Sequence, residues 1–125
     1  MPGPTEAKRV IDQVLALSKA EQTEVVVLAI DSAVTRFANN GIHQNVAQRD
    51  MTVSVRAGMG RHYGFASTNA VSPAGLESAA ERALAMARNV PERDDFLPFA
   101  GRQQVPSVNG YHLSTAEYGP MQRAA

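Results

Sequence analysis

The stretch TRFANNGIHQN, residues 35–45, gathers three asparagines, a glutamine and a histidine around one dipeptide, Asn40-Gly41. That dipeptide accepts the two positive φ angles of a type I′ turn, so the stretch predicts a β-hairpin with arms at 33–39 and 42–48. A two-residue loop would set Asn39 opposite Ile42, Ala38 opposite His43, Phe37 opposite Gln44 and Arg36 opposite Asn45. The fold must therefore contain an antiparallel sheet, and polar side chains must collect on both sides of one hairpin.

Upstream, EVVVLAI at 24–30 is a β-branched run too short for a free-standing helix and suited to a buried first strand. Downstream, Met51, Val53, Val55 and Ala57 alternate with Thr52, Ser54, Arg56 and Gly58, the period of a strand with one buried face. Gly58-Met59-Gly60 is expected to turn the chain into a last strand near 61–67. There Tyr63, Phe65 and Ser67 share one side, His62, Gly64 and Ala66 share the other, and Gly64 suits a close backbone approach.

A helix is expected on each flank of these strands. Ala7, Val10, Ile11, Val14 and Leu15 form an apolar stripe at helical spacing, with Thr5 as the expected N-cap. Ser72 before Pro73 reads as a cap and a first helical position, and Leu76, Ala79, Ala80, Ala83, Leu84 and Ala87 continue to about Asn89. Small side chains on that second stripe suit close packing on a sheet. After Val90 the chain turns rich in Pro and Gly with no sustained period, and TAEYGPMQRAA resembles a helix start with no apolar stripe to complete it. The expectation is an α+β domain: a helix, a four-stranded mostly antiparallel sheet with helices on one face, a second helix, and an irregular tail. Residues 1–92 are expected to form the domain, and 93–125 a linker toward a following domain.

Composition narrows the function. The 125 residues suffice to bury roughly two-thirds of the surface that the unfolded chain exposes. Lys plus Arg and Asp plus Glu are twelve each, so no net field draws nucleic acid or an anionic membrane. No apolar run approaches the ~18 residues of a membrane span, and MPGPTEAKRV lacks the apolar region of a secretory signal, which predicts a cytoplasmic protein. With no cysteine, disulfides, thiolate metal sites and thiol nucleophiles are excluded.

The remaining chemistry rests on His43, His62 and His112. None has the one-turn spacing of a helical zinc motif. His43 and His62 would need to meet across the sheet and still lack a third ligand, so no metal site is expected. No serine sits in a G-x-S-x-G elbow and no glycine run matches a phosphate loop. The candidate site is the polar hairpin: Arg36, Asn39, Asn40, His43, Gln44 and Asn45. Asn40 would satisfy the left-handed turn while its neighbours hydrogen-bond across an exposed hairpin. Alternatively, these uncharged donors and acceptors pair with an extended peptide or a partner strand. Arg36 and Arg56 have the fork geometry for a carboxylate or phosphate, and equally the solubility role of charges on a solvated sheet face.

Taken together, TRFANNGIHQN, TVSVRAGMGRHYGFASTN and SPAGLESAAERALAMAR resemble, in order and spacing, the N-terminal domain of the TldD/PmbA family of metallopeptidases, also called modulators of DNA gyrase. The resemblance runs from about residue 7 to residue 99, with Gly64 to Asn69 and the hairpin as its distinctive parts. DDFLPF and YHLSTAEYGPMQRA resemble the family's passage to its next helix. The family implies a much longer polypeptide in a cytoplasmic assembly of paired subunits, homodimeric or heterodimeric, that degrades unfolded peptides such as a microcin precursor or an antitoxin. It also implies zinc, held by an H-E-x-x-x-H motif in a later part of one subunit type and missing from the other. No zinc ligand carries over to this chain. Ala66 to Asn69, followed by Ser72-Pro73 and a helix, is closer to the subunit type without the motif.

Overall fold

The computed structural model describes residues 3–124. Met1, Pro2 and Ala125, at the outer ends of two stretches read above, lie outside them. The elements in chain order are α1 (Pro4–Leu17), β1 (Gln22–Ala38), β2 (Gly41–Met59), β3 (His62–Thr68), α2 (Pro73–Asn89) and two short helices, α3 (Leu113–Ala116) and α4 (Pro120–Ala124). The sheet has three strands in the order β1-β2-β3, which corrects the expected four. Residues 31–32 and 49–50 are polar but hold neither Gly nor Pro, and Asp31 pairs with Arg49 across the ladder, so stretches that read as separate strands run on as two long ones. The chain divides into two compact units: residues up to Ile30 with Asp50–Ala100, and Asp31–Arg49 with Gly101 onward.

The first unit holds the core. Ser72 accepts a hydrogen bond from the Gly75 N–H at 3.2 Å and Pro73 opens α2, as cap and first-turn preferences dictate. All six apolar positions read from the helical period, Leu76, Ala79, Ala80, Ala83, Leu84 and Ala87, are buried. All but Ala87 meet Val53, Val55, Ala57 and Ala66 of the sheet and Val10 and Val14 of α1 in one cluster. β2 and β3 are antiparallel, with Val55 opposite Ala66 and Ala57 opposite Gly64. Gly64 is where α2 crosses the sheet: a Cβ there would lie 2.1 Å from the Ala83 carbonyl oxygen and 2.3 Å from the Ala87 nitrogen. No other residue permits that approach. The turn before β3 uses Gly60 at φ 57°.

Three local expectations are corrected here. α1 begins at Pro4 with Gly3 as its N-cap, so Thr5 lies inside the first turn; proline at the first helical position needs no N–H and sets the start two residues early. The 24–30 run is not buried on both faces. Val25 and Val27 pack against the core while Val26, Leu28 and Ile30 stay about half exposed, because β1 is an edge strand with helices on one face only. Finally, β3 occupies 62–68 rather than 61–67.

The tail from Val90 returns to this unit before leaving it. Arg93 donates its N–H to the Arg61 carbonyl at 3.2 Å, and Arg61 reaches Asp94 at 3.2 Å. The Phe99 N–H donates to Gln22 Oε1 at 2.8 Å, and the Arg56 guanidinium lies 4.3 Å from the centre of the Phe99 ring. Gly58 leaves room for that ring, since a Cβ there would meet it at 3.3 Å.

The second unit contains no buried residue among those described. It consists of the outer hairpin, an irregular stretch from Gly101, and α3 and α4. Arg123 Nε donates to Thr35 Oγ1 at 3.0 Å, and Arg49 pairs with Asp31 at 2.9 Å.

Candidate functional site

The hairpin turn is built by two asparagines. Asn39 at φ 51° and Asn40 at φ 59° are the only non-glycine residues with positive φ among those described, and Gly41 is the first residue of β2. Asparagine tolerates the left-handed region better than other side chains because its short amide bonds locally. Two adjacent asparagines therefore take the turn and leave the glycine to the strand. The turn sits one residue earlier than Asn40-Gly41 at its centre would place it.

That shift re-pairs the site. Thr35 Oγ1 donates to Asn45 Oδ1 at 3.1 Å across the hairpin. A turn at Asn39-Asn40 does not give the register expected from Asn40-Gly41, in which Phe37 faces Gln44 and Arg36 faces Asn45. Of the six candidates, Asn39 and Asn40 form the tip, Arg36 lies on β1, and His43 and Asn45 share one face of β2 with Gln44 on the other. All six are exposed. Among the described residues Arg36 makes no ion pair, which leaves its guanidinium available for an external carboxylate.

Arg56 is committed internally. It pairs with Glu24 at 2.8 Å and stacks over Phe99, and its Nε is buried with no hydrogen-bond partner among the described residues. His62 donates from Nδ1 to the Val90 carbonyl at 2.8 Å, with Glu92 3.7 Å from Nε2. It stands opposite Met59 across the β2–β3 ladder, not opposite His43 as a shared site would require. His112 caps α3 and is exposed. Tyr63, Met86 and Val90 to Arg93 line a shallow hollow, and the Arg93 guanidinium lies 5.4 Å from the centre of the Tyr63 ring. Arg93 also hydrogen-bonds Asp95, which holds that carboxyl below its usual range and raises the guanidinium in turn.

The family model described as PmbA/TldA metallopeptidase domain 1 matches residues 23–87, which run from β1 through β3 and most of α2. The chain belongs to this family. The solved structure of TldE from Thermococcus kodakarensis matches this PmbA/TldA domain with a TM-score of 0.68 at 15% identity, over 91% of this chain. At that identity the likeness speaks for the fold alone. The chain spans 25% of the length of that TldE. No curated protein matches by sequence.

A metallopeptidase family raises the question of a metal, and the residues of this PmbA/TldA domain do not fit one. Among the described residues no three His, Cys, Asp or Glu side chains gather as a ligand set. His62 is spent on the Val90 carbonyl, and His43 stands on the hairpin with amides rather than acids beside it. No described helix is long and apolar enough to cross a membrane.

The sequence offered no signal for the cluster of Gln22, Arg56, Gly58 and Phe99, because Phe99 is 77 positions from its hydrogen-bond partner and no local period links them.

Proposed function

We propose that residues 1–92 are the N-terminal domain of a TldD/PmbA-type zinc metallopeptidase that degrades unfolded peptides, with 93–125 leading toward the part that holds the metal. The observation that carries this reading is the match of the first-domain model across the strands and α2, in a chain whose described residues assemble no ligand set. The role of this domain is recognition. Its exposed amides at Asn39, Gln44 and Asn45, with Arg36 beside them, would contact peptide backbone or a neighbouring subunit of a cytoplasmic homodimer or heterodimer. No hydrolytic step is assigned to these residues.

A second reading is the non-catalytic partner subunit, favoured by the run Ala66 to Asn69 followed by Ser72-Pro73. One experiment separates the two: peptide hydrolysis by the complete gene product, alone with added zinc and again with its partner subunit. Zinc-dependent turnover by the product alone supports the first reading. Turnover only with the partner supports the second. An inactive product in both settings that nevertheless captures peptide would leave a binding module, and failure to bind peptide at all would remove the recognition role.

A further inference from the structure

The chain carries Asn followed by Gly twice, at Asn40-Gly41 and Asn109-Gly110, in opposite backbone settings. We infer that Asn109 is a site of spontaneous deamidation, and that the hairpin protects Asn40 from the same chemistry for as long as it stays closed. In this reaction the backbone nitrogen of the glycine attacks Cγ of the asparagine, and ammonia leaves. Water then opens the five-membered imide at either carbonyl to give aspartate or isoaspartate. Glycine promotes attack because it has no Cβ to shield its nitrogen.

The ring closes only when the glycine nitrogen and the asparagine Cγ swing together, which requires rotation about the asparagine Cα–C and Cα–Cβ bonds. Asn40 lies in the left-handed turn at φ 59° and Gly41 begins β2, so that rotation means opening the turn. Asn109 and Gly110 are exposed and lie outside any helix or strand. Among the described residues no hydrogen bond involves positions 100–111, and nothing lies within 4 Å of a Cβ built at Gly110. Closure at Asn109 therefore needs no prior unfolding.

The consequences differ as well. Conversion at Asn109 adds a carboxylate to a chain whose charges otherwise balance, in the passage after the first unit. Conversion of Asn40 to isoaspartate would add a backbone carbon to a two-residue turn and break its pairing, so the turn guards the candidate site against its own sequence.

The test is peptide mapping by mass spectrometry of the whole chain aged in mildly alkaline buffer, with and without urea. In the folded chain Asn109 should convert about tenfold or more faster than Asn40, the ratio set by a turn-opening cost of about 1.4 kcal/mol or more. In urea the two rates should converge, and Gly110→Ala should suppress conversion at Asn109 while leaving Asn40 unchanged. Equal rates in the folded chain, or a gap that persists in urea, would overturn the inference.

Discussion

The two units are cut from the same strands, yet they bury their apolar side chains to opposite degrees. In the first, Val10, Val14, Val53, Val55, Leu76, Ala79 and Ala83 are each no more than 1% exposed, and a fully buried Val or Leu contributes ~1.5–3 kcal/mol. In the second, Val34, Phe37, Ile42 and Val46 are 42–64% exposed, and side-chain contacts such as Thr35 with Asn45 and Asp31 with Arg49 stand in for a core. One part of the chain is held together by packing, the other by a turn and a few polar bonds. A surface that keeps its apolar and amide groups in solvent is a surface able to change partners at little cost to the fold.

Substitutions should divide along that line. The largest loss is expected at Gly64→Val, because its Cβ would enter the α2 backbone and neither side can yield; a destabilisation of about 3 kcal/mol or more should appear in denaturant unfolding. A small effect there would mean that α2 does not rest on β3. Leu76→Ala, which opens a cavity between the helix and the sheet, should cost ~2–5 kcal/mol in the same measurement. Ser72→Ala removes only the cap of α2 and should cost ~1 kcal/mol. At the small end, Phe37→Ser in the second unit should shift stability by less than ~0.5 kcal/mol, as exposed positions do; a loss comparable to that of Leu76→Ala would reveal a hidden core and erase the contrast.

Legibility in the sequence follows the same division. The α2 stripe, the Ser72 cap and the alternation of β2 were readable because period, capping and burial agree there, and each position has one physical demand on it. The hairpin was readable as a hairpin but not in its register. Asn39-Asn40 and Asn40-Gly41 both satisfy left-handed φ angles, and the choice between them sets which β1 side chains lie opposite His43, Gln44 and Asn45. Strand number failed for a related reason: polar residues near 31–32 and 49–50 suggest breaks, whereas an exposed ladder tolerates them, as Asp31 and Arg49 do by pairing with each other. The return of Phe99 to Gln22 and Arg56 depends on long-range packing, for which a single sequence carries no local mark. Family resemblance supplied what composition could not, namely a link to metallopeptidases in a chain whose described residues gather no ligand set.

The first unit carries the fold, and the hairpin of the second is the surface proposed for recognition. The most direct test is peptide turnover by the complete gene product, with its partner subunit, after alanine replaces Asn39, His43 and Gln44 together, read beside the melting temperature of the same variant. Turnover or subunit assembly should fall while melting stays where it was. A lowered melting temperature with turnover intact would contradict it and return these side chains to the service of the hairpin alone.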